Sequence, residues 1–326
     1  MKAIVITRPG GPEVLEVRDL PDPAAAEGEV LIRVRAFGVN HAETHMREGE
    51  WPEAAPVSGI EAVGTVANDP SGALQPGTKV LALMGGLGRS RNGSYAEYTV
   101  APASNVCAIE TSLDWADLAA IPESYATAWL SLQHNLELRA GESLLVRGAT
   151  SALGQAAVNI ASAVGAKVIA TTRRPDRVEL LESLGAEHVV LETGEIAGRV
   201  RELAAGGVDR LLDIIGNSAL RDSLRAVRTF GRVCQAGFLG GLGPVDAFQP
   251  MFDLPSGVQL SFFGSFELGG DAYPLARIPF QEIVGKVEER AYKAKPVKVF
   301  AFEEIAEAHR TMESGQAAGK LVVQGV

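Results

Sequence analysis

The sequence predicts an α/β protein in which a doubly wound parallel sheet lies between two strand-rich segments. Between about Pro122 and Gly257, short and almost wholly apolar runs alternate with stretches of helical period, the pattern of strands covered by helices on both faces. On either side the chain breaks into short strands separated by Gly, Pro and Asp. At 326 residues it is longer than one ordinary core organises, so one large or two ordinary domains are expected.

The strands follow in order. In Glu29–Ala36, Val30, Ile32 and Val34 fall on one face while Arg33 and Arg35 fall on the other, the alternation of a half-buried strand. Glu61–Val66 and Lys79–Leu83 come next, the second reached through the turn-former Pro76-Gly77. Met84–Ser94 is so rich in glycine that it reads as a mobile surface loop, a type that often borders an active site. Ser143–Arg147, Lys167–Ala170, Asp209–Ile215 and Gly231–Gln235 are the runs of the central sheet. From about Val258 short strands return with one strong helix, Phe302–Ser314, stopped by Gly315, and a last strand at Lys320–Val323.

Composition narrows the function. A hydrophobic content of 46% with 21% charged residues is that of a globular protein with a sizeable core. The formal net charge of -10 repels phosphate backbones and anionic lipid, so neither nucleic acid nor a membrane is an expected partner. Cys107 and Cys234 are too few for a disulfide framework and sit in apolar runs, as small buried hydrophobes do. The first residues, MKAIVITRPGGPEV, lack the apolar region of a signal peptide, and no run approaches the ~18 apolar residues that span a bilayer. The expectation is a cytoplasmic protein.

The most informative passage is Leu144–Val158. An apolar strand runs into Gly148; Ala149, Thr150, Ser151, Ala152 and Leu153 follow; then Gly154 opens a helix. A diphosphate settles on the free amides of a helix N-terminus only where side chains leave the backbone bare. Ala149 and Ser151 occupy two glycine places of the strict G-x-G-x-x-G pattern, so the run also fits a tight strand–helix turn with no ligand. The next strand weighs against that. Where an NAD site carries an acid for the ribose 2′-hydroxyl, this chain has Thr171 and Thr172, then Arg173 and Arg174, with Arg177 a turn further. A hydroxyl backed by guanidinium groups suits a 2′-phosphate, and cations are otherwise disfavoured at a helix start. The expected cofactor is NADP(H).

These residues, with Gly38-Val39-Asn40, Gly59-Ile60-Glu61, Gly93–Tyr98, Leu184–Val189, Ala308–Met312 and Gly319–Val322, resemble the zinc-independent medium-chain dehydrogenases/reductases, the quinone oxidoreductase group related to zeta-crystallin. The resemblance implies a Rossmann domain (residues 123–258) inserted into a β-rich GroES-like catalytic domain (1–122 and 259–326), and often a homodimer or homotetramer. It implies NADPH-dependent reduction of a small electrophile: a quinone or an activated, carbonyl-conjugated alkene. The alternatives are a 2-enoyl thioester or 2-alkenal reductase, or a non-catalytic NADPH-binding crystallin-like protein. Gly216, Gly237 and the run Phe263, Gly264, Ser265 are expected at the cofactor by the same likeness, and Lys320 either reaches toward it or is an exposed edge-strand lysine.

Zinc-dependent relatives place a cysteine at Asn40 and a histidine at Ile60, so of those ligands only Glu61 remains and no metal is expected. His41 and His45 share a helical face, but the intervening glutamate stands one place late for H-E-x-x-H. Without a metal, the oxygen that gains charge needs hydrogen-bond donors. Asn40 is the leading candidate, although an asparagine there also suits a turn. Thr127 matches a position beside the carboxamide, and Tyr125, His45 or water would give the proton. Two departures stand out: Trp51 replaces a tyrosine near the nicotinamide, and Glu192 replaces one against the adenosine phosphate.

Overall fold

The computed structural model describes residues 1–51 and 53–325, and the chain divides into two units, Met1–Glu123 with Ser265–Val326, and Ser124–Gly264. The first unit opens with a two-stranded antiparallel sheet, β1 (Lys2–Ile6) and β2 (Leu15–Asp19). Then come β3 (Glu29–Val39), α1 (His41–Glu48), β4 (Glu61–Asn68), β5 (Lys79–Leu83), β6 (Tyr98–Pro102), β7 (Val106–Ala108) and α2 (Trp115–Ala119). Along β3 the predicted alternation is realised, with Val30, Ile32 and Val34 fully buried and Arg33 exposed.

After α3 (Pro122–Leu130), the second unit runs β8 (Ser143–Arg147), α4 (Ala152–Val164), β9 (Lys167–Thr172), α5 (Val178–Ser183), β10 (His188–Leu191) and α6 (Ala197–Leu203). It continues with β11 (Val208–Asp213), α7 (Leu220–Ala226), β12 (Val227–Gln235), α8 (Pro250–Asp253) and β13 (Gln259–Phe262). All six strands are parallel, in the order β10-β9-β8-β11-β12-β13. Counted from β8, that is 3-2-1-4-5-6, the Rossmann order, whose direction reverses between β8 and β11 where such folds bind nucleotides. Strand centres Leu145, Ile169, Leu211 and Val233 are buried, which is why these runs carry almost no polar residues. The second boundary falls at 264/265 rather than 258/259 because β13 pairs with β12 and completes this sheet.

The chain then returns to the first unit through α9 (Phe280–Glu288), β14 (Lys298–Ala301), α10 (Ile305–Glu313) and β15 (Leu321–Gln324). The larger sheet of that unit has the order β14-β15-β3-β4-β5-β7, with β6 also paired to β3. Two expectations change here. The tail has a second helix, α9, which buries Phe280, Ile283, Val284 and Val287, a spacing that was there to be read. The glycine-rich run after β5 is no mobile surface loop: Leu87 packs with Val30, Ile32 and Val80, and a Cβ at Gly93 would overlap the carbonyl of Gly59. Its glycines serve close backbone approach. Among the described residues no helix is long and apolar enough to cross a membrane.

Candidate active site

In the second unit the turn after β8 is built as a cradle. Gly148 has φ +85°, a left-handed conformation that favours glycine. Ser151 caps α4: its Oγ accepts the Gly154 N–H at 3.0 Å and donates to the Gly148 carbonyl at 2.9 Å. A Cβ at Gly154 would lie 2.6 Å from both the Gly148 oxygen and the Cα of Ala149, so glycine is what lets the helix start directly on the turn. Ala149 is buried and donates to the Thr171 carbonyl at 3.3 Å, while Gln155 holds the Thr150 carbonyl at 3.0 Å. The amides of Ala152 and Leu153 then stand at the helix N-terminus with no acceptor among the described residues, the arrangement that binds anions.

The end of β9 looks different from its sequence. Thr171 Oγ1 accepts the Gly148 N–H at 3.1 Å, which ties the strand to the cradle. Thr172 is buried and spends its hydroxyl on the backbone of Arg174, accepting at 3.1 Å and donating at 3.3 Å. Arg174 forms a two-point pair with Asp176 at 3.0 and 2.9 Å, and Arg177 Nε lies 3.7 Å from the same carboxylate. Arg173 is exposed. Asp176, which the arginine count overlooked, thus partly neutralises the cluster and leaves Arg173 as its most available cation.

Further along the same sheet edge, Gly216 (φ +86°) and Gly237 pass so closely that a Cβ on Gly216 would overlap the Gly237 carbonyl. Phe263 is buried and donates to the Gln235 carbonyl at 2.9 Å; Gly264 ends the unit and Ser265 begins the next segment of the other. Tyr125 and Thr127, both on α3, are buried. The Tyr125 hydroxyl accepts a bond from Asn159 of α4 at 3.0 Å. Cys234 is buried and Cys107 half-buried, and burial pushes both thiols up to about 11, so neither is a ready nucleophile.

In the first unit the candidate Asn40 belongs to a buried polar network. Lys320 is neither exposed nor at a free edge: it is 4% exposed, and its Nζ donates to Glu61 Oε1 at 2.5 Å and Asn40 Oδ1 at 2.6 Å. Burial pulls this ammonium down, but Glu61 and Glu123 more than offset it, and the net shift is upward. Gly38 makes room, since a Cβ there would overlap Lys320 Cε. Asn40 Nδ2 points at Glu61 Oε1 (2.9 Å) and Glu43 Oε1 (3.5 Å), so both amide hydrogens face carboxylates. Glu43, at the start of α1, accepts the N–H groups of Asn40 (2.7 Å) and Ile60 (3.0 Å) and the Tyr95 hydroxyl (2.7 Å). Tyr95 also meets His309 Nε2 at 3.1 Å, whose Nδ1 lies 3.2 Å from Arg47. Burial raises the Glu43 carboxyl to about 7, although Tyr95 and the two amides draw it down. It lowers the His309 imidazole to about 3, with Arg47 adding to the shift.

A zinc ion does not fit these residues. Glu61 Oε1 and Asn40 Oδ1 are already engaged by an ammonium, and Glu61 Oε2 accepts the Glu123 N–H at 2.7 Å; a dication would face Lys320 directly. Among the described residues one grouping has ligand spacing, His45, Glu48 and Glu50. There His45 bonds Glu50 at 2.6 Å and Glu48 holds Arg47 at 2.5 Å.

Several of these residues escaped the sequence reading yet left signals. His309 continues the apolar stripe Ile305, Ala308, Met312 of α10. Glu43 stands three after Asn40 in a capping arrangement. Arg147 is a charge at the end of an apolar central strand, where nothing but a partner would keep it buried.

Known proteins agree with this architecture. Residues 26–111 match the family model described as an alcohol dehydrogenase GroES-like domain, and residues 152–277 one described as a zinc-binding dehydrogenase. The chain is 30% identical to the quinone oxidoreductase of Homo sapiens, over 99% of this chain and 97% of the relative. A solved NAD-dependent alcohol dehydrogenase superposes with a TM-score of 0.86 at 30% identity, covering 100% of both chains. A mycobacterial protein complexed with NADPH gives 0.89 at 26% identity, again over 100% of both. On the fold, both domain matches and the full-length likeness, the chain belongs to the quinone oxidoreductase-like family of the medium-chain dehydrogenase/reductase superfamily.

Proposed function

We propose that the protein is an NADPH-dependent, metal-independent reductase that transfers hydride to quinones or carbonyl-conjugated alkenes. The observation that carries the cofactor is the exposed Arg173 at the end of β9, beside a helix N-terminus with open amides. A carboxylate at that place would bind a ribose 2′-hydroxyl and repel its phosphate; here the residues are Thr172 and Arg173. The human relative supports quinone reduction, and the NADPH-bound neighbour supports the cofactor. The NAD-dependent neighbour makes the alternative concrete.

The bound nicotinamide would supply the hydride. The residues around it would orient the ring and stabilise the oxygen that gains charge. A donor role for Asn40 toward that oxygen would require it to release one of the two carboxylates that hold its amide hydrogens. The exposed outer strand β13, with Leu260 and Phe262 outward, supports assembly into a homodimer or homotetramer, which light scattering would reveal. Arg173→Ala should weaken NADPH binding about tenfold or more, the worth of a charge-assisted hydrogen bond, and leave NADH binding nearly unchanged; equal losses for both would refute the phosphate reading. NADPH oxidation with 1,4-benzoquinone exceeding that with a crotonyl thioester or 2-alkenal is the expected outcome. The reverse ranking would make the protein an enoyl reductase, and no turnover with any of them a nucleotide-binding scaffold.

A further inference from the structure

We propose that Arg147 is a positioning residue for cofactor choice: it locks the carboxylate of Glu192 into the interior and so keeps that charge from opposing a 2′-phosphate at Arg173. The inference rests on the phosphate reading given under the proposed function. Arg147 ends β8 immediately before the cradle and is fully buried. Its Nε donates to Glu192 Oε2 at 2.9 Å and its NH2 to Oε1 at 2.7 Å, a two-point pair. NH2 also reaches the Gly194 carbonyl at 3.0 Å. NH1 reaches Ser223 Oγ at 3.0 Å, the Ala219 carbonyl at 3.2 Å and Asp222 at 2.9 Å.

Glu192 lies at the edge where the phosphate would sit. It follows β10, and its N–H donates to the Thr172 carbonyl at 2.8 Å, one residue before Arg173. Thr171, whose hydroxyl accepts the Gly148 N–H, also donates to the Glu192 carboxylate. Burial pushes this carboxyl up, but Arg147 and its other donors more than offset it, so it stays ionised. Because the Glu192 backbone already bonds the Thr172 carbonyl at 2.8 Å, its carboxylate without Arg147 would stand beside Arg173 and repel a doubly charged phosphate through partly buried surroundings. With Arg147, the guanidinium shared with Asp222 offsets the Glu192 charge and holds its carboxylate inward.

A purely structural clamp predicts something else: its loss would lower stability and weaken both nucleotides alike. The discriminating measurement is the ratio of NADPH to NADH dissociation constants, read by fluorescence titration of the full chain at low and high salt. Arg147→Met should cut the preference for NADPH about fivefold or more, with the change shrinking as salt screens it. R147M/E192Q should restore the preference. E192Q alone keeps Arg147 with Asp222 and Ser223, and should raise the preference. A folded R147M with an unchanged ratio would overturn the proposal. Should R147M fail to fold, E192Q decides, and an unchanged ratio there overturns it equally. A wild-type chain without any NADPH preference would sink the phosphate reading and this inference together, whereas a wild-type preference left unchanged by R147M and by E192Q sinks this inference alone.

Discussion

Each unit buries a cluster of charges, and the two solve the same problem differently. In the second unit a single guanidinium is saturated by Glu192, Asp222, Ser223 and two carbonyls, while the neighbouring Asp213 touches Ser223 rather than the guanidinium and is raised by burial. In the first unit one ion pair, Lys320 with Glu61, adjoins a chain of groups that burial shifts in opposite directions: Glu43 upward and His309 downward. The cause is common, because low polarity disfavours whichever form carries charge. The lesson is that a buried carboxyl with a direct cationic partner, such as Glu192, is held ionised, whereas one without, such as Glu43 or Asp213, is shifted upward.

The comparison breaks most easily at Lys320. Lys320→Met leaves Glu61 buried with its cation gone, and removing one member of a buried pair costs about 3–5 kcal/mol. Chemical denaturation should show that loss, and adding Glu61→Gln should recover much of it by removing the stranded charge. A single-variant loss below about 1 kcal/mol, the worth of an exposed pair, would mean that water reaches this cluster.

A smaller effect separates what was legible from what was not. Gly154→Ala places a Cβ against backbone atoms of the preceding turn, where overpacking costs about 1–3 kcal/mol; nucleotide affinity should fall with it, and a variant matching wild type in both denaturation and binding would disprove the tight turn. The requirement at Gly154 was readable because it is local: a strand, small residues and a helix start lie within a dozen positions. The Rossmann order and the β3 alternation were readable likewise, through periodicity. The pairing of Asn40 with Lys320 spans 280 residues, and no spacing announces it. Asp176 was in plain view beside the arginines, yet whether it pairs with Arg174 or points to solvent depends on side-chain geometry that a composition of charges does not contain.

The mildest prediction tests the proton sensitivity of the first cluster. Glu43 faces Tyr95, Asn40, Lys320 and Glu61, with His309 and Arg47 beyond Tyr95. Its folded pKa, about 7, lies above the ordinary carboxylate value of 4.5. Its protonated form therefore favours the fold below that ordinary value, and this contribution fades as pH rises toward about 7. His309 runs the other way: lowered from 6.5 to about 3, it favours the fold above the ordinary value and withdraws that support as pH falls. The two slopes oppose each other where they overlap, so the wild-type stability should change little with pH there. Glu43→Gln removes one slope. Its melting temperature relative to wild type should climb as pH rises from about 4.5 to about 7 and then level off, even though the amide loses an acceptor at every pH. A difference that stays constant across that range would show that Glu43 does not change its protonation there.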